Sequence, residues 1–312
     1  MQYYVFCGLL FRCVICLGNN TYVDTGNPYT DRPLKVGGLT LSKTGQKSPL
    51  HTKVYFPLEP GFYPAVLFIG GFDTYVLAEY YETVLSRIAS HGFFIFGIDY
   101  AFPLEKQNLI NAGELKQDIS KYFEQHAWLQ HYMTNKTLGT VSWNSTALMC
   151  HSSGCDATLK MIREKPTMFT STIFLEPVSF DVKEKVDIRM PAFMYGTELS
   201  TVGHQCVIPG FSYNKFYEIW GCPKIVMEVA DFGHCDILDT VPWTGCKDVH
   251  FCTITPNVTK LTEYKEFVQG ATSSFLVSSL QGRTDAMKYI TQKPLIPLRL
   301  LELRSDLNCT EM

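Results

Sequence analysis

Charged residues are scarce in this chain, and their signs nearly balance. Of its 312 residues, 18% are Asp, Glu, Lys or Arg, and the formal net charge is −3. No cluster of Lys and Arg stands out along the sequence. A nucleic-acid-binding surface needs concentrated positive charge to neutralise phosphates, so the composition excludes nucleic acid as a partner.

A long uninterrupted apolar run is also missing. The most apolar segment, Tyr3 to Leu17, is short for a membrane span and contains Arg12. Cys16 and Gly18 place small residues at the −3 and −1 positions of a cleavage after Gly18, as in secretory signal peptides. We therefore predict a signal peptide over residues 1–18, although its basic start is missing; a signal anchor is the alternative. The mature chain is then secreted and has no transmembrane span.

Sequons and cysteines also indicate the secretory pathway. Roughly one residue in seven is Ser or Thr, so about one or two Asn-x-Ser/Thr sequons are expected by chance among the ten Asn residues, yet five are present. Removal of residues 1–18 leaves eight cysteines, an even number without a Cys-x-x-Cys pair, which favours disulfides over a zinc site. The predicted glycosylation sites are Asn19, Asn135, Asn144, Asn257 and Asn308.

An internal repeat and a central linker are absent as well. After a Gly-, Pro- and Thr-rich lead-in, continuous apolar runs of strand length alternate with segments of helical period. Such runs are typical of strands buried on both faces, so we predict an α/β fold: a mainly parallel sheet with helices on both faces. We predict a lead-in at 19–50, one domain at 51–285 and a C-terminal tail at 286–312.

The expected elements follow from these patterns. The predicted strands are His51–Phe56, Ala65–Ile69, Phe93–Ile98, Ala147–Cys150, Ser171–Leu175, Ala192–Tyr195 and Lys224–Val229. The predicted helices are Leu77–Ile88, Leu115–Met133, Ser153–Glu164 and Leu261–Phe275.

The stretch Thr146-Ala-Leu-Met-Cys-His-Ser-Ser-Gly-Cys155 has the layout of a nucleophile elbow. An apolar strand meets a Ser among small residues, and a helix follows. Such a turn holds the Ser backbone in a strained conformation and exposes its Oγ above the sheet. Ser152 is therefore the candidate nucleophile. The first Gly of the usual Gly-x-Ser-x-Gly pattern is here Cys150, so the motif alone is weak.

An elbow Ser needs a general base, and in this fold the order along the chain is Ser, acid, His. His234 stands in a loop directly after the last buried strand, where such sheets place their sites. His204 and His250 lie among cysteines and loop residues and are interpreted as bystanders. Glu176 and Glu198 each follow a predicted strand, and the sequence does not separate them as the acid.

The oxyanion of an acyl-transfer intermediate needs two backbone N–H groups. One comes from the residue after the nucleophile, Ser153. The other is expected from the loop after the first central strand, where Phe68-Ile-Gly-Gly-Phe-Asp73 stands. Paired glycines there let the backbone turn toward the Ser.

Taken together, five motifs make the chain resemble the chlorophyllase family of α/β-hydrolases, from about Lys53 to Gly282. Phe216-Tyr217, ahead of the last strand, extends the resemblance. The motifs are Pro64-Ala-Val-Leu-Phe-Ile-Gly-Gly-Phe72, Arg87-Ile-Ala-Ser-His-Gly92, Cys150-His-Ser-Ser-Gly154, Leu175-Glu-Pro-Val178 and Phe232-Gly-His-Cys-Asp-Ile-Leu-Asp239.

The resemblance implies a role for each matching position. Ser152 falls on the family's nucleophile, His234 on its general base and Glu176 on its acid, which is Asp in the family. Phe72 is implied as the second oxyanion donor. Because Glu replaces Asp, Glu198 stays open as the acid.

Further departures from the family pattern lie around the turns. Gly70 replaces a family His, and Cys150 and Cys155 replace glycines beside the elbow. The resemblance also implies two disulfides, Cys206 with Cys222 and Cys246 with Cys252.

We therefore predict a secreted, glycosylated serine carboxyl-ester hydrolase that needs neither metal nor cofactor. The resemblance implies a bulky lipophilic ester as its substrate, which in the family is chlorophyll, cleaved to chlorophyllide and phytol. Two alternatives remain. One is a catalytically silent binding or adhesion protein on the same fold, and the other is a general lipase or cutinase-like esterase.

Overall fold

The computed structural model of the protein describes residues 20–102, 117–307 and 309. The predicted signal peptide and the sequons at Asn19 and Asn308 lie outside the described residues. The sequons at Asn135, Asn144 and Asn257 lie within them, and all three Asn side chains are exposed. Glycosylation at these positions stays a prediction.

A mostly parallel sheet runs through the molecule. Within the described residues it has nine strands in the order β1-β2-β4-β3-β5-β6-β7-β8-β9. The six strands from β4 to β8 pair in parallel, whereas β1, β2 and β9 pair antiparallel at the two sides. The strands are β1 (Val36–Leu41), β2 (His51–Pro57), β3 (Gly61–Ile69), β4 (Phe94–Asp99), β5 (Gly139–His151), β6 (Ser171–Leu175), β7 (Ala192–Thr197), β8 (Lys224–Val229) and β9 (Leu300–Asp306).

Helices cover both faces of this sheet. They are α1 (Glu82–Ser90), α2 (Ile119–Tyr132), α3 (Gly154–Glu164), α4 (Tyr213–Ile219), α5 (Thr240–Asp248), α6 (Leu261–Gln281) and α7 (Lys288–Thr291). In β3, Val66 and Phe68 belong to the core that contains α1 and α6, while Leu67 and Ile69 belong to the core of α2, α3 and α4. Burial of each such side chain contributes about 1.5–3 kcal/mol to folding. The predicted α/β-hydrolase fold is confirmed.

The two cores explain why the strands were readable as continuous apolar runs. Strands Ser171–Leu175 and Lys224–Val229 have the predicted bounds. The sheet also extends past residues 51–285: β1 lies in the lead-in and β9 in the tail. Because β9 is an edge strand with mostly exposed or half-buried side chains, it leaves no apolar run in the sequence.

Four disulfides link the described cysteines: Cys150–Cys155, Cys206–Cys252, Cys222–Cys309 and Cys235–Cys246. The implied pairings of Cys206 with Cys222 and of Cys246 with Cys252 are therefore wrong, although all four residues are bonded. Tertiary structure sets the partners. Cys222 precedes β8 and Cys309 follows β9, and since these strands are antiparallel neighbours, the two cysteines lie at the same end.

No helix among the described residues combines the length and the apolar character that a bilayer span requires.

Candidate active site

The parallel strands bring their carboxyl ends to one edge of the sheet. Gly71 lies two residues after β3, Ser152 and Glu176 directly follow β5 and β6, and His234 lies five residues after Val229, the end of β8. In an open parallel sheet this edge is where ligands bind. Residues far apart in sequence thus share one site.

The turn at Ser152 has the backbone of a nucleophile elbow. Its φ is +55°, in the left-handed region that costs about 1–3 kcal/mol for a residue other than Gly. Two hydrogen bonds with β6 and the loop after it hold this turn: the Ser152 N–H donates to Leu175 O at 3.1 Å, and the Val178 N–H donates to Ser152 O at 3.1 Å. A side chain at Gly154 would place its Cβ 2.3 Å from Gly70 O, so α3 can approach β3 only with glycine there.

A disulfide encloses this elbow. Cys150 ends the apolar run of β5, Cys155 lies in the first turn of α3, and their bond closes a short ring around Ser152. Both cysteines are fully buried. The sequence showed that cysteines replace the family's flanking glycines, but it did not predict their bond.

Ser152, His234 and Glu176 form a hydrogen-bonded series. His234 Nε2 lies 2.8 Å from Ser152 Oγ, and His234 Nδ1 lies 3.3 Å from Glu176 Oε2. The imidazole and the carboxylate are both buried. A base within hydrogen-bond reach of a hydroxyl, itself oriented by a buried carboxylate, is the arrangement that activates a serine for nucleophilic attack.

The two candidate acids occupy different surroundings. Glu176 faces His234, and its Oε2 also accepts a hydrogen bond from the Ser200 hydroxyl. Glu198 points elsewhere: its Oε2 accepts the Asp231 N–H at 2.8 Å and lies 3.7 Å from Arg299 Nη2. Glu176 is the carboxylate that contacts the imidazole, as the family position implied.

The loop that carries His234 is organised by Asp236. This buried carboxylate accepts hydrogen bonds from the Gly233 N–H at 2.8 Å, the Thr255 N–H at 2.9 Å and the Trp243 Nε1–H at 2.8 Å. Burial raises the pKa of Asp236 above its ordinary value, and the three hydrogen bonds reduce the size of this rise. The disulfide of Cys235 further ties the loop to α5. The imidazole is thus presented by a rigid loop.

The glycine loop after β3 lies against the elbow. A Cβ at Gly71 would be 2.9 Å from Ser152 Cβ, so the two backbones are in close approach. Gly70 has no room for a side chain either, since its Cβ would lie 2.4 Å from Val76 O, which accounts for the missing family His. Phe72 follows with φ +50°. Ser153 stands at the N-terminal end of α3, where backbone N–H groups point out of the helix.

His204 and His250 are exposed, and their rings lie 6.3 Å apart, edge to face. Neither is hydrogen-bonded to Ser152 or Glu176 in the described part of the chain. Among the described residues, a convergence of metal-ligand type is formed by Cys235, Cys246 and Cys252, whose sulfur atoms lie within 4.8 Å of one another. All three belong to disulfides, so their sulfurs are not thiolate ligands.

Sequence reasoning missed four residues that support the site: Tyr81, His151, Ser200 and Asp236. His151 directly precedes Ser152, and Asp236 lies two residues after His234, so proximity in sequence is the signal that both residues offer. Tyr81 and Ser200 offer no such signal. The Tyr81 hydroxyl contacts Gly71 and His151, and the Ser200 hydroxyl contacts Glu176, and sequence position does not reveal these contacts.

A family model described as Chlorophyllase matches residues 24–305. The chain belongs to the chlorophyllase family. Two plant relatives are similar to it over most of their length. Chlorophyllase-1 of Arabidopsis thaliana is 24% identical over 271 residues, which cover 79% of this chain and 81% of the relative. Chlorophyllase-2 of the same plant is 23% identical over 268 residues, covering 77% and 81%.

Membership of the chlorophyllase family supports ester hydrolysis as the class of reaction. It confirms the resemblance that the five motifs indicated. The family match also reaches beyond residues 51–285 on both sides, to include β1 and β9, which agrees with their place in the sheet.

Proposed function

We propose that the protein is a serine carboxyl-ester hydrolase with Ser152 as its nucleophile. The observation that carries the proposal is the 2.8 Å contact between His234 Nε2 and Ser152 Oγ, with Glu176 on the other ring nitrogen. The positive φ of Ser152 and the burial of the Glu176 carboxylate support the same proposal, because a surface Ser without a catalytic role requires neither feature.

The reaction proceeds in two halves. Ser152 Oγ attacks the ester carbonyl carbon as its proton passes to His234 Nε2, and the N–H groups of Phe72 and Ser153 hold the resulting oxyanion. Collapse expels the alcohol, which takes the proton from His234, and leaves an acyl-serine. Water then attacks the acyl group with His234 again as base, releasing the acid and restoring Ser152. Throughout, Glu176 holds the Nδ1–H and stabilises the imidazolium.

We further propose a bulky lipophilic ester as the substrate, with chlorophyll as the first candidate because the relatives are named chlorophyllases. Aromatic side chains around the site support this. Phe72 is 36% exposed and packs against Phe251, which is 51% exposed; on the Glu176 loop, Phe180 is 59% exposed and packs against Phe211. These groups, here called the aromatic rim, can cover an apolar substrate.

Secretion is proposed on separate grounds. Four disulfides are typical of proteins that fold in an oxidising compartment. The predicted signal peptide and the three exposed sequons agree with export.

Substitution of Ser152 by Ala tests the mechanism. We expect it to abolish labelling by a fluorophosphonate probe and to lower turnover of p-nitrophenyl esters by about 10⁴-fold or more, since no other group replaces the nucleophile. Ser153→Ala is the matched control, because it removes the neighbouring hydroxyl and keeps the backbone N–H. Unchanged labelling of the Ser152→Ala protein would remove Ser152 from the mechanism. Absence of labelling in the unaltered, folded protein would instead favour the silent binding protein.

A substrate panel tests the aromatic rim and separates a chlorophyllase from a general lipase. Chlorophyll, a triglyceride and short p-nitrophenyl esters are compared in the unaltered protein and in Phe180→Ser and Phe251→Ser. We expect the variants to lose about tenfold in kcat/KM on the lipophilic ester, from lost apolar contact worth about 1–2 kcal/mol, and to keep hydrolysis of p-nitrophenyl acetate. Leu138→Ser is the control, as this exposed side chain precedes β5 at the opposite edge of the sheet. An equal loss on both ester types would contradict a role of the rim in substrate binding.

A further inference from the structure

We propose that Tyr81 and His151 are positioning residues for the oxyanion site, which they serve by holding the backbone that presents the Phe72 N–H. The inference rests on the proposed function, because it assigns the two residues to the same site. Neither side chain belongs to the hydrogen-bonded series of Ser152, His234 and Glu176.

A buried set of hydrogen bonds joins the glycine loop to the elbow. The Gly71 N–H donates to Tyr81 Oη at 3.1 Å, and Tyr81 Oη lies 2.9 Å from His151 Nδ1. Tyr81 is 1% exposed and His151 is 3% exposed. His151 directly precedes Ser152, so one phenol connects the loop after β3 with the residue beside the nucleophile.

The direction of these bonds follows from the donors available. Tyr81 Oη accepts the Gly71 N–H, and of its two partners only His151 Nδ1 can accept the phenol hydrogen, so we assign Tyr81 as the donor to Nδ1. His151 is then neutral and carries its proton on Nε2. Burial lowers the pKa of His151 well below its ordinary value, and the nearby His234 lowers it further, which keeps the ring neutral.

The orientation of the Phe72 N–H follows from the same loop. Gly71 O accepts the Val76 N–H at 3.3 Å, and Phe72 O accepts the Tyr75 N–H at 2.9 Å. In a planar trans peptide the N–H of Phe72 points away from the Gly71 carbonyl, so fixing that carbonyl fixes the N–H. Tyr81 holds the preceding N–H, and the loop is thereby restrained at successive peptide groups.

The loop needs such restraint because its backbone is unfavourable and its neighbours are close. Phe72 has φ +50°. A Cβ at Gly71 would lie 2.9 Å from Ser152 Cβ and 3.1 Å from His151 Nδ1, so glycine is what lets the loop approach the elbow this closely. Without the phenol oxygen, the Gly71 N–H would be buried without a hydrogen-bond partner. The cost of that unpaired group would favour a shift of the loop.

The neutral state of His151 also suits the base beside it. The His151 and His234 rings have centroids 4.5 Å apart. When His234 takes the proton from Ser152, it becomes a cation, and a neutral His151 adds no like charge next to it. Burial thus keeps the imidazole beside His234 uncharged, while the Tyr81 hydroxyl joins that imidazole to the oxyanion loop.

Tyr81→Phe tests the proposal, because it removes only the hydroxyl. An oxyanion donor acts on the transition state more than on the bound substrate, and its complete loss costs about 10²–10³-fold in kcat. For a displaced donor we expect a fall in kcat of about tenfold with KM within about twofold. A trifluoromethyl ketone, which forms an oxyanion on Ser152, should bind more weakly by a factor similar to the fall in kcat.

Tyr55→Phe is the matched control, since Tyr55 is also a buried tyrosine, and its hydroxyl has no hydrogen-bond partner among the described residues. It should leave kcat and ketone affinity unchanged. Rescue is tested at His151: Asn can still accept the Tyr81 hydrogen through Oδ1, whereas Leu cannot. We expect His151→Asn to retain more kcat than His151→Leu.

Unchanged kcat and ketone affinity in Tyr81→Phe would overturn the proposal, as would a matching loss in Tyr55→Phe. Failure of the proposed function would look different. The unaltered protein would then lack both ester hydrolysis and fluorophosphonate labelling, before any variant is compared.

Discussion

Ser152, Glu176 and Phe72 share a backbone conformation that residues with side chains rarely adopt. Their φ angles are +55°, +47° and +50°. Each follows or nearly follows a parallel strand and turns its backbone sharply at the same edge of the sheet. Positive φ at several such residues is typical of functional sites, where surrounding contacts hold a strained conformation. The strain at these positions supports the proposed active site independently of the hydrogen bonds.

The acid is the residue whose identity the sequence left open, and its substitution can be compared directly with that of its competitor. We expect Glu176→Gln to lower kcat by about 10³–10⁴-fold, because an amide does not stabilise the imidazolium or hold its tautomer. Glu198→Gln should cost less than about tenfold, since that carboxylate contacts Asp231 N–H and the exposed Arg299 instead of His234. The measurement is kcat on a p-nitrophenyl ester. A larger loss in Glu198→Gln would transfer the role to that residue.

At the scale of elements, the elbow between β5 and α3 differs from the family pattern in being covalently closed. The family pattern has glycines beside the nucleophile, which permit close approach of the backbone. Here Cys150 and Cys155 form a buried disulfide across the turn, and Gly154 keeps the one position where a side chain would strike the β3 backbone. The two cysteines therefore replace conformational freedom with a covalent restraint.

The double variant Cys150→Ala/Cys155→Ala should show this restraint in catalysis. Opening so short a ring lowers the free energy of unfolding by about 2 kcal/mol in the chain-entropy description. We expect kcat to fall about tenfold as well, because Ser152 can relax from its positive φ. Stability is measured by urea unfolding, and kcat well below the unfolding transition.

Cys222→Ala/Cys309→Ala provides the comparison, as this disulfide joins the ends of β8 and β9 away from the elbow. It closes a longer loop, so the loss of stability should be greater, about 4–5 kcal/mol, while kcat stays near that of the unaltered protein. If kcat followed stability in both pairs, the elbow disulfide would have no special role.

At the scale of the whole molecule, buried ionisable groups set the pH range of stability. Burial lowers the pKa of His91 and of His126 to about 4, and it raises the pKa of Asp99 to about 8. All three side chains are almost completely buried, and neither histidine has a ring nitrogen with a hydrogen-bond partner among the described residues.

The lowered pKa values of the two histidines and the raised pKa of Asp99 change the free energy of unfolding in opposite directions as the pH rises. Each His contributes stability above its unfolded pKa of about 6.5 and loses it as the pH falls toward 4, at about 1.4 kcal/mol per pH unit. Asp99 is protonated in the folded state and ionised in the unfolded state between about pH 4 and 8, so its contribution falls as the pH rises, by a similar slope. From these three groups we expect maximum stability near pH 6.5.

Urea unfolding from pH 4 to 9 checks this expectation. Asp99→Asn keeps an acceptor for the Ala78 N–H, which Asp99 Oδ1 binds at 2.8 Å, and should flatten the decline above pH 6.5. His126→Gln should reduce the decline below it. A profile whose slopes do not change in either variant would show that other groups govern the pH dependence.

Much of the architecture could be read from the chain because a sheet covered on both faces makes its strands continuous apolar runs. Ser171–Leu175 and Lys224–Val229 illustrate this, and the helical spacing of the apolar residues in α6 indicates that helix. The sequence does not predict the edge strand β9, because the side chains of this strand are exposed or half-buried and form no apolar pattern. The start of β5 was placed too late for a related reason: its first residues are only partly buried.

By itself, the sequence determined the α/β class, the chlorophyllase family and the residues Ser152, His234 and Glu176 as candidates, because local apolar patterns and short motifs are properties of neighbouring residues. The tertiary structure alone decided which carboxylate meets the imidazole, how the cysteines pair, and that Tyr81 and His151 join the glycine loop to the elbow. Those relations depend on distances between segments up to 87 residues apart, as in the Cys222–Cys309 bond. Such distances exist only once the strands are aligned in the sheet.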